Sequence, residues 1–206
     1  MIKEVDEMKK LSYLFILVGV FFLAFGGYQW FSSSSAQNEA TAEAQALIEE
    51  RNLNDLVDVD ASKIAADFNP AEGENVGMLH IPKLNANLPI IEGTHEDELE
   101  KGVGHYRGTA YPLQNDQIVL SGHRDTVFRS MGELEIGDTL TLKLTYGDFT
   151  YEITETKIVD ADDRTIIVPH DEEVLTLTTC YPFSFVGYAP ERYIIYAYPI
   201  DKDHGK

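Results

Sequence analysis

The chain contains a single cysteine, Cys180, in 206 residues. It ends the run Leu-Thr-Leu-Thr-Thr, whose branched residues are typical of a β-strand, and a proline-containing loop begins just after it. A lone cysteine forms no disulfide within the chain, and no paired cysteine or cysteine–histidine spacing indicates a zinc site. The thiol is therefore either a small buried hydrophobic group or a nucleophile displayed at a strand end.

Two further residues could act with this thiol. His123 follows the run Ile-Val-Leu-Ser-Gly, so we expect it at the end of another strand. Arg192 lies twelve residues beyond Cys180, and two antiparallel strands folding about Val186 would place these residues opposite each other. A thiolate attacks a carbonyl carbon, an imidazole returns a proton to the leaving amine, and a guanidinium stabilises charge on the carbonyl oxygen. The pattern predicts acyl transfer through a thioester, with Thr179 adding an oxyanion or substrate contact.

Other polar residues have weaker grounds for a functional role. Arg192 has the alternative of a structural ion pair near Glu191, and Asp125 is close enough in sequence to orient His123. We predict structural or surface roles for the remaining histidines. These are His80, His95, His105, His170 and His204. For His105, a place in the groove is the alternative.

An acidic cluster and the overall charge restrict the possible ligands. The cluster has the carboxylate oxygens that Ca²⁺ prefers but lacks a loop motif of defined spacing, so we predict a solvated acidic face and no metal or other cofactor. Its members are Glu92, Glu96, Asp97, Glu98 and Glu100. The formal charge of −19 would repel a phosphate backbone, which makes nucleic acid a poor candidate partner.

Residues 11–31 carry no charged side chain and predict a transmembrane anchor. A helix of this length reaches about 32 Å, which is enough to cross a hydrocarbon core of about 30 Å. A cleaved signal peptide is the competing interpretation, but Tyr28, Trp30 and Phe31 occupy the place of a small-residue cleavage site and are typical of an interfacial aromatic belt. We therefore favour an uncleaved anchor.

The distribution of basic residues predicts the orientation of this anchor. Lys3, Lys9 and Lys10 precede the span, and no lysine or arginine follows it until Arg51. The positive-inside rule places residues 1–10 in the cytoplasm and the rest of the chain outside the cell membrane.

Residues 32–75 are predicted to be an extracytoplasmic linker. A serine run is followed by an Ala/Glu/Gln-rich stretch and then by an acidic stretch, and few of these residues are apolar enough to dock. We favour a tether over the alternative of a segment that folds back over the active site.

Residues 76–200 have the pattern of an all-β domain. Short runs of β-forming residues are divided by turn residues, with one or two short helices and no helix–strand alternation. About eight strands in this arrangement predict a closed or nearly closed β-barrel, and residues 201–206 form a tail. The clearest strands are residues 76–81, 88–91, 117–121, 139–144, 149–159, 174–179 and 193–200.

Three separated motifs resemble those of the sortase family. The run Thr-Leu-Thr-Thr-Cys ending at Cys180 is similar to the TLxTC signature of sortases. His123, within Ser-Gly-His-Arg, resembles their catalytic histidine, and Arg192 resembles their catalytic arginine. The resemblance covers residues 76 to about 200 and agrees with an N-terminal anchor of this polarity.

The resemblance implies an eight-stranded sortase barrel on the outer face of a Gram-positive membrane. It implies a cysteine transpeptidase that cleaves an LPxT-type sorting signal after its threonine. An amine of the peptidoglycan precursor, or of another protein, then resolves the thioacyl intermediate, so that surface proteins become attached to the cell wall.

Within the family, the chain is most similar to class D. The run Cys-Tyr-Pro-Phe from Cys180 and the lack of a second hydrophobic span after residue 200 support this interpretation. Pilin-polymerising class C enzymes carry an Asp-Pro-aromatic lid, which the run Asp-Phe-Asn-Pro at residues 67–70 does not match. The alternatives are a pilin-polymerising sortase, a cysteine hydrolase or endopeptidase with the same residues, and a non-catalytic binding module.

Overall fold

The computed structural model describes residues 2–54, 60–184, 187 and 189–200. The chain divides into two compact units, Met1–Ala36 and Gln37–Lys206. Three sequence-based expectations lie outside the described residues, namely the reversal of the chain at Val186, the tail at residues 201–206 and the structural or surface role of His204.

Helix α1, Ile2–Asn54, contains the predicted anchor. Its sequence has no proline, and the Ala/Glu/Gln-rich second half is made of strong helix formers. Side chains from residue 12 to residue 32 are exposed, including Phe15 at 67% and Trp30 at 76%. Among the described residues, α1 is the one helix that is both long enough and apolar enough to cross a membrane. It is therefore a candidate membrane anchor by length and composition.

Eight strands, counted over the described residues, close into a barrel in the order β1-β2-β3-β4-β7-β8-β6-β5. The pairs β2–β3 and β4–β7 are parallel, and the other neighbouring strands are antiparallel. The predicted all-β fold with an eight-stranded barrel is confirmed. The strands are β1 Asn75–Ile81, β2 Ala86–Glu92, β3 Val103–His105, β4 Gln117–Ser121, β5 Thr139–Leu144, β6 Gly147–Asp160, β7 Val174–Tyr181 and β8 Glu191–Pro199.

Short helices and turns connect these strands. Helix α2, Ala61–Asp67, precedes the barrel, and its N-cap residue Asp60 accepts a hydrogen bond from the backbone N–H of Ser62. Helix α3, Glu96–Lys101, joins β2 to β3 and has acidic residues in its first turn, where the helix dipole favours them. Two 3₁₀ turns lie at Pro82–Leu84 and Met131–Glu133.

The barrel interior is filled by side chains that alternate along the strands. In β5, Leu140, Leu142 and Leu144 are buried while the residues between them are half-buried. Full burial of one such side chain stabilises the fold by about 1.5–3 kcal/mol. Because every second residue faces inward, this alternation fixes which residues of each strand face the core.

Strand β3 is absent from the strands that the sequence pattern predicted. Its three residues include Gly104, and a Cβ atom there would come within 2.4 Å of the carbonyl oxygen of Gly93. Glycine therefore permits the close approach that brings β3 beside its neighbours. A strand this short, with glycine at its centre, has little β-forming signal of its own.

The expected tether differs from the structure, because part of residues 32–75 packs on the barrel. Ala40 and Ala44 of α1 are buried, and Nδ2 of Asn75 donates a hydrogen bond to the carbonyl oxygen of Ala40 at 2.7 Å. Because residues 32–75 contain few large apolar side chains, the sequence predicts that this segment does not dock on the barrel. Small alanines instead let the helix backbone approach closely enough to hydrogen-bond with β1.

Three more hydrogen bonds hold this segment. Nη1 of Arg51 donates to the carbonyl oxygen of Leu144 at 2.8 Å and to Oδ1 of Asp148 at 2.6 Å. In α2, Ala65 is buried, and its carbonyl oxygen accepts from Nε2 of Gln114 at 2.7 Å. None of the described residues in 32–75 lines the cavity at Cys180, so the alternative of a segment over the active site does not hold for them.

Candidate active site

The three predicted site residues lie together at one edge of the barrel. Parallel pairing of β4 with β7 sets Ser121 opposite Thr178, so that His123 and Cys180 both follow at the same end. Antiparallel pairing of β7 with β8 sets Cys180 directly opposite Arg192. The cross-strand pairing expected from the twelve-residue spacing is therefore present.

A cavity of about 730 Å³ contains these residues in its lining. Cys180, His123 and Arg192 are each half-buried, so that they are accessible from the cavity and yet held by the barrel. The lining also includes apolar side chains that can hold an extended peptide. These are Leu99 and Tyr106, together with Ala161, Ile166 and Ile167 from the connection between β6 and β7; Thr94 also lines the cavity.

Charged side chains of both signs also reach this cavity. Asp163 and Arg164, in the connection between β6 and β7, are part of its lining. Oδ1 of Asp163 accepts hydrogen bonds from the backbone N–H and the hydroxyl of Thr165, and these two donors lower the pKa of its carboxyl. Asp163 therefore stays ionised, and the connection between β6 and β7 contributes charged as well as apolar side chains to the lining.

Thr179 connects the cysteine strand to the histidine turn. Its side chain is buried, and its hydroxyl donates to the carbonyl oxygen of Gly122 at 2.7 Å. The N–H of Gly122 in turn donates to the carbonyl oxygen of Thr178 at 3.2 Å. Thr179 lines the cavity, but the hydroxyl assigned from the sequence to substrate or an oxyanion already has this protein acceptor.

The turn that carries His123 is also anchored in the core. The carbonyl oxygen of His123 accepts the backbone N–H of Phe128 at 3.0 Å, and the Phe128 ring is buried. A Cβ atom on Gly122 would lie 2.5 Å from this ring, so glycine is required for the turn to close over it. These contacts fix the backbone on both sides of His123.

The guanidinium of Arg192 is oriented by backbone carbonyls. Its Nη1 donates to the carbonyl oxygen of Glu191 at 2.9 Å and to that of Ala189 at 3.3 Å. The sequence left open an ion pair between Arg192 and the neighbourhood of Glu191. Arg192 instead donates to the backbone carbonyl oxygen of Glu191. These bonds hold the planar fork of donors in one direction.

Aromatic rings support the chain next to Cys180. The rings of Tyr181 and Phe183 pack edge to face at 5.6 Å, and both contact Tyr193 of β8, at 6.2 and 5.3 Å. Phe183 also lies against Gly132, where a Cβ atom would come within 2.9 Å of the ring. This packing holds the start of the loop beyond the cysteine.

A buried polar cluster lies beside the cavity walls, and the sequence did not predict it. His105 is 1% exposed, its Nδ1 lies 2.6 Å from Oε2 of Glu92, and its Nε2 lies 3.0 Å from the carbonyl oxygen of Ala110. Tyr111 donates its hydroxyl to the same Glu92 oxygen at 2.6 Å. The expected solvated acidic face is therefore wrong for Glu92, and also for Glu98, which is buried.

The pKa of Glu92 reflects these contacts. Burial raises the pKa of this carboxyl, but hydrogen bonds from His105 and Tyr111 outweigh burial and leave the pKa below its ordinary value. Burial and the bond to Glu92 raise the pKa of the Tyr111 hydroxyl, so it remains a donor. Over the described residues, no three carboxylate, imidazole or thiol groups are gathered to hold a metal ion.

Fold and site together define a closed-barrel protein with a cysteine, a histidine and an arginine at one cavity. The Sortase domain family model matches residues 79–200. Sortase D from Bacillus subtilis is 52% identical over 193 residues, which cover 92% of this chain and 98% of that protein. The chain belongs to the sortase family of cysteine transpeptidases. Within this family it is similar to class D sortases.

Solved structures agree with this assignment. A Clostridium perfringens Sortase D5 transpeptidase aligns with a TM-score of 0.65 and 25% identity, over 81% of this chain and 99% of that chain. The catalytic domain of SrtD from B. anthracis aligns with a TM-score of 0.55 and 47% identity, over 65% of this chain and 92% of that chain. The resemblance found in the three motifs is thus confirmed at the level of the family.

Proposed function

We propose that this sortase cleaves LPxT-type sorting signals after threonine and transfers the acyl group to an amine of the cell-wall precursor. The observation that carries the proposal is the direct pairing of Cys180 with Arg192 beside a cavity that His123 also lines. Because all three residues line one cavity, this arrangement supports a reaction with Cys180 as nucleophile, His123 as proton carrier and Arg192 as fixed cation.

Each residue has a defined part in the first half-reaction. The Cys180 thiolate attacks the threonine carbonyl carbon, and Arg192 stabilises the negative charge that develops on the carbonyl oxygen. The carbon–nitrogen bond then breaks, and His123 gives a proton to the leaving amine. The product is a thioester between Cys180 and the threonine carbonyl.

The second half-reaction runs through the same groups. An incoming amine attacks the thioester carbon, His123 accepts a proton from that amine, and the carbon–sulfur bond breaks. A new amide forms and the Cys180 thiolate is regenerated. Thr179 contributes through its bond to Gly122, which fixes the cysteine strand against the histidine turn.

The location proposed for this reaction is the outer face of the cell membrane. The apolar part of α1 is the anchor, and the lysines before it favour a cytoplasmic N-terminus. The barrel would then face the cell wall, where both the sorting signals and the amine acceptor are found. Cleavage of a reporter fused after residue 200, by protease added to intact protoplasts, tests this orientation.

A peptide assay tests the chemistry. Wild-type protein is incubated with a panel of peptides varied around the proline and threonine of LPxT, with and without candidate amines, and the products are read by mass. We expect a ligated peptide–amine product with wild type and none with Cys180→Ala. A product hydrolysed after threonine even with amine in excess would favour the cysteine hydrolase, and turnover by Cys180→Ala would refute the mechanism.

A further inference from the structure

Arg124 directly follows the histidine of the site and contacts the loop that follows the cysteine. Its Nη1 donates to the carbonyl oxygen of Pro182 at 3.1 Å, and its Nη2 donates to the carbonyl oxygen of Gly187 at 2.8 Å. Pro182 lies two residues after Cys180, and Gly187 lies in the loop that leads to Arg192. One guanidinium thus joins the histidine turn to the start and to the middle of the connection between the other two site residues.

We propose that Arg124 is a positioning residue that holds His123 in register with Cys180 and Arg192. The proposal rests on the proposed function, because it assigns Arg124 a part in the geometry of that same reaction. Arg124 acts through the backbone of the loop and does not itself contact the reacting atoms.

Other restraints on His123 do not replace this one. Gly122 is bonded to β7 through Thr178 and Thr179, and the His123 carbonyl oxygen is bonded to the N–H of Phe128. These contacts fix the histidine turn to β7 and to the core. They do not reach the loop beyond Cys180, which carries the chain to Arg192.

The geometry favours arginine over lysine at this position. Two different guanidinium nitrogens reach two carbonyl oxygens that are five residues apart in the loop. A planar fork can donate in two fixed directions at once, whereas an ammonium is a point charge on a flexible stem. Arg124→Lys would keep the charge and lose one of the two bonds.

Arg129 provides a matched control on the same turn. Its Nε and Nη2 both donate to the carbonyl oxygen of Asp125, at 3.0 and 2.6 Å. These bonds stay within the turn and do not cross to the loop after Cys180. Arg129→Met therefore removes a cation and two hydrogen bonds without touching the proposed clamp.

The first experiment compares steady-state kinetics with an LPxT peptide and an amine. We expect Arg124→Met to lower kcat by about 10- to 100-fold while KM for the peptide stays within about twofold, since misplaced groups slow the chemical step. Arg124→Lys should fall between Arg124→Met and wild type, and Arg129→Met should stay within about twofold of wild type. Equal kcat in Arg124→Met and wild type, equal losses in the Arg124 and Arg129 variants, or a rise in KM alone would overturn the proposal.

The second experiment needs no substrate and separates this proposal from the proposed function. Amide hydrogen exchange is measured for peptides that span residues 182–190. We expect faster exchange there in Arg124→Met, or in Arg124→Lys if the first variant does not fold, and no change in Arg129→Met. Unchanged exchange in the Arg124 variant overturns the proposal that Arg124 holds this loop. Absence of any product with wild type overturns the proposed function instead. In that case hydrogen exchange still decides whether Arg124 holds the loop.

Discussion

Thr179 donates its hydroxyl to the carbonyl oxygen of Gly122 at 2.7 Å, which bonds the residue before Cys180 to the residue before His123. The contact depends on the parallel pairing of β4 with β7, since that register brings the two strand ends to the same height. A buried donor and acceptor that satisfy each other are costly to separate. The relative backbone positions of Cys180 and His123 are therefore set by the fold.

The first prediction concerns this bond. Thr179→Val keeps the shape of the side chain and removes the donor, which leaves the Gly122 carbonyl oxygen unsatisfied in a buried position. We expect the free energy of unfolding to fall by about 1–3 kcal/mol and kcat to fall with it. Urea denaturation and peptide turnover measure both effects. Thr179→Ser keeps the hydroxyl and should retain most of the activity, and equal activity of the valine and serine variants would contradict the role of the bond.

Arg192→Lys should remove most of the activity and leave the fold intact. The guanidinium is oriented by two backbone carbonyls, and a lysine ammonium cannot reproduce this planar arrangement. Loss of one oxyanion donor costs about 100- to 1,000-fold in kcat in other enzymes. Peptide kinetics provide the measurement, with exposed Arg107→Lys as the control. Near-normal turnover of Arg192→Lys would remove Arg192 from its proposed role.

Glu92 should make the stability of the barrel depend on pH. Its pKa is below the ordinary value in the folded protein, so its stabilising contribution is present above about pH 4.3 and is lost as the pH falls through the folded value. Glu92→Gln should lower the free energy of unfolding by about 1–3 kcal/mol at neutral pH, because it removes the buried carboxylate that is hydrogen-bonded to His105 and Tyr111.

Urea denaturation between about pH 3 and pH 6 tests this expectation. The curve of stability against pH should be flatter in Glu92→Gln than in wild type. Asp162→Asn is a suitable control because Asp162 is exposed. If Glu92→Gln loses stability with falling pH as steeply as wild type, the lowered pKa of Glu92 is not the source of the pH dependence.

Deletions should separate the candidate membrane anchor from the helical segment that supports the barrel. A protein that begins at residue 37 retains the second compact unit, and we expect its Tm to be that of the full barrel. A protein that begins at residue 60 loses the bonds of Ala40 and Arg51 to the barrel. At about 1 kcal/mol for each of two or three lost hydrogen bonds, its unfolding free energy should fall by about 2–3 kcal/mol. Thermal unfolding measures the difference, and equal Tm values would show that residues 37–54 add no stability.

The barrel could be predicted from the sequence because most strands carry their own pattern. The alternation of Leu140, Leu142 and Leu144 places one face in the core wherever the strand pairs. The pairing of Cys180 with Arg192 could also be predicted, since two strands joined by one loop have a register that depends only on spacing.

Other features depend on contacts between distant parts of the chain. The short strand at Gly104 forms because its backbone fits closely against Gly93, and docking of Ala40 depends on the amide of Asn75. The buried pair of Glu92 and His105 arises from parallel pairing across a helical crossover. Neither strand patterns nor charge counts contain this information. The sequence therefore predicts a solvated face for acidic residues of which two, Glu92 and Glu98, are buried.

Strand β8 has a consequence for when the enzyme becomes active. It is the last strand of the described barrel in chain order, and it supplies Arg192 opposite a cysteine that was synthesised earlier. Cys180 gains the guanidinium of Arg192 only when β8 is added between its pairing partners β6 and β7. During biosynthesis Cys180 is therefore present before Arg192, and the pairing on which the proposed reaction depends is completed only after β8 has been synthesised.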